Sequence, residues 1–445
     1  MSETKTVTRR DFCGTAAAAA TIAATSLPLR VLAQATGVDS SVRPFKISFA
    51  EAELVDLRQR INSTRWPERE TVADDSQGVP LTMIQGLATY WATGYDWRKC
   101  ESKLNALPQY VTQIDGLDIY FIHVRSKHDD ALPIIITHGW PGSIIEQLKL
   151  IEPLTNPTAY GASASDAFHV VIPSIPGYGF SGKPTASGWD PEHIARAWVV
   201  LMGRLGYSKF VAQGGDWGGH ISNVMGEQAP PQLLGIHTNF PETIPPDVGK
   251  ALALSQPPPA TLSADEKAAY LQLVSLRSKN LAYAIIMAQR PQTLYGLADS
   301  PIALAAFMLD HGDAYNQPAS TFVAALAGKP IGGYSAGNLT RDDILDNITL
   351  FWLTNTGVSA ARLYWENKFR LLSAVNVSVP AAVTVFPGEI YAAPRSWTEG
   401  AYHKLVYYNR ASEGGHFAAW SFPELFAQEL RAGLRPMRAS NAALL

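Results

Sequence analysis

The sequence predicts an α/β fold with a mostly parallel, doubly wound sheet covered by helices on both faces. Two patterns carry this prediction. Short apolar runs alternate with helix-length segments from residue 133 onward, and an antiparallel strand pair precedes them. Composition agrees, because 47% of the 445 residues are hydrophobic and only 17% are charged, which is enough apolar material for a large core. The net charge of −3 and the lack of a basic run beyond the N-terminus argue against a nucleic-acid partner.

The N-terminus, residues 1–35, has the pattern of an export signal. Thr8-Arg9-Arg10-Asp11-Phe12 precedes a small-residue apolar run that ends at Ala35. The paired arginines indicate a twin-arginine signal cleaved after Ala35, hence a periplasmic or secreted bacterial protein that does not associate with the membrane after cleavage. The alternative is an anchoring helix, for which the Ala/Thr run is short and weakly hydrophobic. Cys13 would leave with the signal, so Cys100 would have no partner for a disulfide.

The next region, residues 36–108, is predicted to be mainly helical. Leu54, Leu57 and Ile61 share one face of a helix that Trp66-Pro67 ends, and a second helix spans about 82–95.

From residue 110 onward, the hydrophobic residues follow the pattern of β-strands. An Asp115-Gly116 turn predicts a hairpin of strands 111–114 and 117–124. Buried strands are then predicted over 133–137, 168–173, 209–212, 234–237, 382–386 and 405–408. A helical segment that is too long for a loop interrupts this alternation, and we interpret it as an inserted lid. The predicted organisation is a signal (1–35), an N-terminal helical region (36–108), a first core segment (109–240), the lid (241–370) and a second core segment (371–445).

The glycine-rich stretch Gly214–Gly219 has the spacing of a nucleophile elbow, in which a sharp turn joins a strand to a helix. Aspartate, not serine, occupies the centre. The positive helix end favours an anion there, so Asp216 should be ionised and aimed at the carboxyl edge of the sheet. The alternative is an N-cap aspartate in a glycine-rich loop.

Two further segments supply partners for Asp216. His138-Gly139-Trp140-Pro141 follows a buried strand, where the backbone amide of Trp140, together with that of Trp217, can stabilise an oxyanion. His416 follows the last strand, the position of the base in triads of this chain order. For the acid, Glu389 follows a buried strand and is favoured, and Glu413 and Glu242 are the rivals.

A carboxylate nucleophile suits attack on an sp³ carbon, which gives an alkyl ester that water must cleave. His416, oriented by Glu389, would activate that water.

Epoxides and alkyl halides both form such esters. An epoxide calls for O–H donors from the lid, and a halide for N–H donors such as the indole of Trp217. A non-catalytic binding protein is a third possibility, against which the complete set of nucleophile, base, acid and oxyanion loop argues. No HExxH or clustered His/Asp spacing is found, so neither metal nor cofactor is predicted.

Taken together, the motifs resemble those of epoxide hydrolases of the α/β-hydrolase fold, in the microsomal and juvenile-hormone branch. HGWPGS at 138–143, GGDWGG at 214–219, FPGE at 386–389 and GGHF at 414–417 match that family's motifs, and 47–67 is similar to its N-terminal domain. The resemblance implies a small hydrophobic epoxide and water as substrates. Of the lid tyrosines at 270, 283, 295, 315, 334 and 364, it implies that Tyr283 and Tyr364 open the ring. An export signal in place of the branch's membrane anchor is the one departure.

Overall fold

A computed structural model of the protein describes residues 40–312, 316–331, 333–368 and 372–442. The predicted export signal and Tyr315 lie outside these residues. Helices in the described part are α1 (Glu51–Asn62), α2 (Leu81–Thr93), α3 (Trp97–Asn105), α4 (Ile144–Gln147), α5 (Ile151–Thr155), α6 (Pro191–Arg204), α7 (Asp216–Gln228), α8 (Pro246–Ala253), α9 (Ala264–Ser275), α10 (Ala282–Gln289), α11 (Gly296–Asp299), α12 (Pro301–Leu309), α13 (Ser320–Ala327), α14 (Arg341–Leu353), α15 (Gly357–Glu366), α16 (Arg395–Ala401), α17 (Ala418–Ser421) and α18 (Pro423–Ala442).

The strands of the described residues form one sheet in the order β1-β2-β3-β5-β4-β6-β7-β8-β9. Pairing is antiparallel from β1 to β5 and parallel from β5 to β9, which confirms the predicted mostly parallel sheet with an initial hairpin. The strands are β1 (Arg43–Pro44), β2 (Gln109–Ile114), β3 (Leu117–Val124), β4 (Leu132–Thr137), β5 (Phe168–Pro173), β6 (Phe210–Gly214), β7 (Leu233–Thr238), β8 (Val377–Val385) and β9 (Tyr402–Arg410). β4, β5, β6 and β7 read as near-continuous apolar runs because both of their faces are buried.

The N-terminal region is helical, as predicted, with one exception. Helix α1 buries Leu54, Leu57 and Ile61, the three residues of its predicted apolar face. Arg43 and Pro44 form a two-residue edge strand that pairs with β2, although the sequence predicted no strand there. A strand this short has no periodicity to detect, and proline is tolerated because an edge strand leaves one row of amides unpaired.

Between β7 and β8 the chain forms helices α8 to α15, in the region predicted as a lid. The N-terminal helices pack on this segment through α14. The indole N–H of Trp91 donates to the Thr349 hydroxyl at 3.0 Å, and the Tyr95 hydroxyl donates to Asp346 Oδ1 at 2.7 Å. The N-terminal region therefore supports the lid directly.

Loops that carry the candidate site residues all leave from the carboxyl ends of parallel strands. Residues 138–143 follow β4, Asp216 follows β6, Glu242 follows β7, Glu389 follows β8 and His416 follows β9. Because β4, β6, β7, β8 and β9 are parallel, these ends meet at one edge of the sheet, where α/β proteins place their ligand sites. Across the part of the chain that the structure describes, no helix is both long and apolar enough to span a bilayer.

Replacing Tyr95 by phenylalanine should lower the free energy of unfolding by about 1–3 kcal/mol. Burial raises the pKa of Asp346 to about 6, and the Tyr95 hydrogen bond opposes that rise by stabilising the carboxylate. Denaturant unfolding of the variant measures the loss, and Tyr295→Phe, which alters an exposed ring, is the matched control and should stay within about 0.5 kcal/mol. Equal stability of the two variants would show that water replaces the lost hydroxyl.

Candidate active site

Asp216 occupies a sharp turn between β6 and α7 with a positive φ of 49°, a strained backbone conformation for a residue other than glycine. The turn closes because its neighbours lack side chains. A Cβ on Gly218 would lie 1.8 Å from the Thr137 carbonyl oxygen of β4, and a Cβ on Gly214 would lie 2.0 Å from the backbone of Gly218. The N-cap of α7 is Gly215, and Asp216 is the first helical residue, so the alternative of an N-cap aspartate is wrong.

The loop after β4 brings one backbone amide to Asp216. The Trp140 N–H donates to Asp216 Oδ1 at 2.8 Å. Gly139 permits this approach, since a Cβ there would lie 2.3 Å from the same oxygen. The loop contains a cis Trp140–Pro141 peptide bond, and Asn347 of the lid donates from Nδ2 to the Pro141 carbonyl at 2.7 Å. The amide is therefore held from both the core and the lid.

His138 stabilises the same loop. Its Nε2 accepts the Ile175 backbone N–H at 3.2 Å, which ties the loop after β4 to the loop after β5. Burial lowers the pKa of His138 to about 4, so the ring is neutral and able to accept.

The Trp217 amide lies in the first turn of α7. The first backbone hydrogen bond of that turn runs from the Gly219 N–H to the Gly215 carbonyl at 3.0 Å. The Trp217 N–H precedes it and has no upstream helical carbonyl to bond, as at every helix start. This location agrees with the second amide predicted beside Asp216, and the contact that the structure shows directly is the one from Trp140.

His416 and Glu389 approach Asp216 from the loops after β9 and β8. Glu389 Oε1 lies 2.5 Å from His416 Nδ1, and His416 Nε2 lies 3.5 Å from Asp216 Oδ2. The two loops pair through their backbones, with the His416 N–H donating to the Gly388 carbonyl at 3.2 Å. Glu413, a rival for the acid, is exposed to solvent. Glu389 is thus the carboxylate that orients His416.

The charged forms of Asp216, His416 and Glu389 stabilise one another. Burial raises the pKa of Asp216, but the hydrogen bond and positive charge of His416 outweigh it, so the pKa lies below its ordinary value. Burial lowers the pKa of His416, yet the charges and hydrogen bonds of Glu389 and Asp216 prevail and hold it well above the usual range. The resting site therefore pairs a carboxylate at position 216 with an imidazolium at position 416.

Tyr283 on α10 and Tyr364 on α15 face Asp216 across a cavity of about 30 Å³. Their ring centroids lie 6.1 Å apart, and the Tyr364 ring packs edge-on against Trp217 at 4.7 Å. Burial raises the pKa of both phenols well above the ordinary value, so each keeps its proton and can donate it in a hydrogen bond. Two other lid tyrosines point elsewhere: Tyr270 donates to the Gln256 carbonyl and Tyr295 is exposed.

A larger cavity of about 340 Å³ adjoins the one at Asp216. Leu276, Leu281 and Leu372 line both cavities and form the partition between them. Leu276 begins a π-helical turn, Leu276–Asn280, that joins α9 to α10. Because the inner cavity has room for only one or two waters, its walls, this partition among them, must move to admit a substrate.

Sequence reasoning missed two histidines of the site. His220 lies one helical turn after Asp216. Its Nδ1 is 2.7 Å from Glu242 Oε2, and its Nε2 is 3.0 Å from Asn367 Oδ1. Glu242, the second rival for the acid, is therefore the partner of His220 and not of His416. Burial lowers the pKa of His220, but the charge and hydrogen bond of Glu242 outweigh this effect and raise the pKa above its ordinary value. The signal in the sequence was the i, i+4 spacing, which places His220 on the same face of α7 as Asp216.

His311 is the second histidine that sequence reasoning missed. It follows α12 in the lid, and its ring stacks on that of His416 with centroids 4.9 Å apart. A single lid histidine carries no motif, so nothing in the sequence indicated that it would reach the triad.

Comparison with known proteins places the chain in a family. The family model for the epoxide hydrolase N terminus matches residues 42–147, and that for the alpha/beta hydrolase fold matches 133–272. A putative epoxide hydrolase of Stigmatella aurantiaca (strain DW4/3-1) is 47% identical over 399 residues, 89% of this chain and 86% of the relative. Epoxide hydrolase 1 of Sus scrofa is 32% identical over 421 residues, 89% of each chain. The chain belongs to the epoxide hydrolase family.

A solved structure extends this likeness to the fold. The crystal structure of juvenile hormone epoxide hydrolase from the silkworm Bombyx mori superposes with a TM-score of 0.78 at 30% identity, covering 91% of this chain and 96% of that one. The resemblance to epoxide hydrolases read from the motifs is thus confirmed. It extends beyond the α/β core, because the N-terminal family model spans α1, α2 and α3.

Replacing Glu389 by glutamine should lower the pKa of His416, because the negative charge that contributes most to raising it is removed. NMR titration of the ring, labelled selectively in histidine, measures the shift. The matched control is Glu413→Gln, which removes a nearby charge that is solvated and should leave the His416 titration in place. A pKa that fell equally in both variants would mean that net charge, and not contact, sets the protonation of His416.

Proposed function

We propose that the protein hydrolyses an epoxide to a vicinal diol through a covalent ester on Asp216, with no cofactor. One observation carries the proposal. The Asp216 carboxylate lies between the Trp140 amide and His416, and it faces a cavity walled by two protonated phenols. This arrangement holds a nucleophile, acid donors for the leaving oxygen and a base for water within one enclosed site.

In the first step, an Asp216 oxygen attacks an epoxide carbon and the ring C–O bond breaks. Tyr283 and Tyr364 donate hydrogen bonds to the ring oxygen, and one of them supplies its proton as that oxygen becomes a hydroxyl. The imidazolium of His416 restores the proton to the phenolate. Asp216 now carries a neutral alkyl ester, and His416 is neutral as well.

In the second step, water cleaves that ester. Loss of the Asp216 charge removes part of what raised the pKa of His416, so the ring becomes a base only after the ester has formed. Water attacks Cγ of Asp216 while His416 takes a proton, and the oxyanion on Asp216 is stabilised by the Trp140 and Trp217 amides. The ester C–O bond then breaks. Of the two protons of water, one remains on His416 and the other leaves on the diol.

The haloalkane dehalogenase alternative is not favoured. The named relatives are epoxide hydrolases, and the groups that oppose Asp216 across the cavity are phenols, which donate to oxygen. The indole of Trp217, its best support in the sequence, packs against Tyr364.

The cellular setting is inferred from the sequence. The paired arginines and the Ala-rich run of residues 1–35 support export of a folded protein to the periplasm or beyond, where it would remove small hydrophobic epoxides. Cys100, a buried free thiol, would be the one cysteine left after cleavage, which is compatible with such export.

Trapping the ester tests the reaction. His416→Gln should form an adduct with a styrene-type epoxide and fail to release it, lowering turnover by about 10²–10⁴-fold. Mass analysis of the peptide that holds Asp216 detects the adduct. Glu413→Gln, altered on the same loop, should turn over normally. Absence of any adduct while His416→Gln loses activity would remove the covalent step.

Replacing both Tyr283 and Tyr364 by phenylalanine should abolish ring opening and leave the fold intact, because the variants remove only the buried hydroxyls. Single-turnover measurement should show no ester within the time in which the parent protein completes many cycles. Tyr295→Phe serves as the matched control. Unchanged ester formation in the double variant would exclude both phenols from the reaction.

A further inference from the structure

His311 is a buried lid histidine that the two-step reaction above does not use. Its side chain is only 1% exposed, and its ring lies between that of His416, 4.9 Å away, and that of Tyr283, 5.1 Å away. Among the residues that the structure describes, the Gly312 backbone is the one hydrogen-bond contact of the ring, so at least one ring nitrogen has no partner. A buried polar atom without a partner is unfavourable, so this nitrogen calls for a bound group.

The position of His311 shows where that group lies. One ligand atom each of Asp216, His311 and His416 lie within 4.8 Å of one another. Any three points that close share a centre within hydrogen-bonding distance of all three. A single water at that centre would contact His416 Nε2, reach Asp216 and satisfy one nitrogen of His311.

We propose that His311 and His416 together bind the water that cleaves the Asp216 ester. This inference rests on the proposed function, because it assigns a residue to its second step. An attacking water has two protons, and His416 accepts one of them. The unprotonated nitrogen of His311 accepts the second as a hydrogen bond, which turns a lone pair of the water toward Cγ of Asp216. His311 takes no proton, so the balance of the reaction is unchanged.

The charge state of His311 agrees with this role. Burial, with the nearby positive charge of His416, lowers the pKa of His311 to about 3, so the ring is neutral at neutral pH. A neutral imidazole has one acceptor nitrogen, which an imidazolium lacks. His416 is the opposite case, since two carboxylates hold it protonated until the ester forms.

The test separates the two half-reactions. In His311→Leu, ester formation should keep its rate, while ester hydrolysis should fall by about 10–100-fold. As a result, kcat and KM should fall together and kcat/KM should stay near its original value, with alkyl-enzyme accumulating in the steady state. His311→Gln keeps an acceptor oxygen on a side chain of similar reach and should recover a large part of the hydrolysis rate.

His193→Leu is the matched control, because it removes a histidine that pairs with Asp115 and does not line the cavity at Asp216. It should leave both half-reactions unchanged. The melting temperature and the fraction of Asp216 that can be alkylated are measured for each variant. A loss caused by misfolding would lower the alkylated fraction, and the rate constant of the folded molecules would still report on His311.

Several outcomes would overturn the proposal. One is hydrolysis at the parent rate in His311→Leu, and another is a loss confined to ester formation, which would make His311 a substrate contact. A third is loss of turnover on chelation with recovery on adding zinc, which would show that the three side chains hold a metal. If His416→Gln gives no adduct at all, the proposed function fails, whereas failure of the His311 inference alone leaves that adduct in place.

Discussion

Three backbone segments meet at Asp216 with no side chain between them, and the site depends on this close approach. The elbow closes on itself because residue 214 is glycine, and it lies against the end of β4 because residue 218 is glycine. The loop after β4 reaches the carboxylate because residue 139 is glycine as well. The fold itself then holds the Trp140 amide at 2.8 Å from the nucleophile. An oxyanion that forms on Asp216 meets a donor already in place, so no reorganisation is required during the reaction.

The electrostatics of the triad follow from the same enclosure. A buried imidazolium is unfavourable alone, yet His416 has a carboxylate on each ring nitrogen, at 2.5 Å and 3.5 Å. Asp216 loses its charge when the ester forms, whereas Glu389 stays charged throughout the proposed cycle. The pKa of His416 therefore falls when Asp216 becomes an ester. His416 releases a proton in the first half-reaction and accepts one in the second.

The sequence predicted those features of this protein that depend on local pattern. The buried strands, the Asp115-Gly116 hairpin and the turn at Asp216 were predictable because period, turn chemistry and glycine spacing act over a few residues. Contacts that depend on tertiary packing were harder to predict. The sequence favoured Glu389 for His416, and the resemblance supplied Tyr283 and Tyr364, but only the fold shows that Glu242 has a histidine of its own, His220. His311 has no neighbouring motif, since its meaning comes from packing against His416, which lies much later in the chain.

The pair of His220 and Glu242 also determines how the lid joins the core. Glu242 accepts the backbone N–H of Leu372 at 3.2 Å, and Ile244 exchanges backbone hydrogen bonds with Leu372 and Ala374 at 3.0 Å each. The departing and returning strands of the insertion are thus fastened to each other, and His220 fastens them to the helix of the nucleophile. A helical insertion exchanged at this junction would enter and leave at unchanged points, so the selectivity of the enzyme could be altered by grafting while the chemistry below was kept.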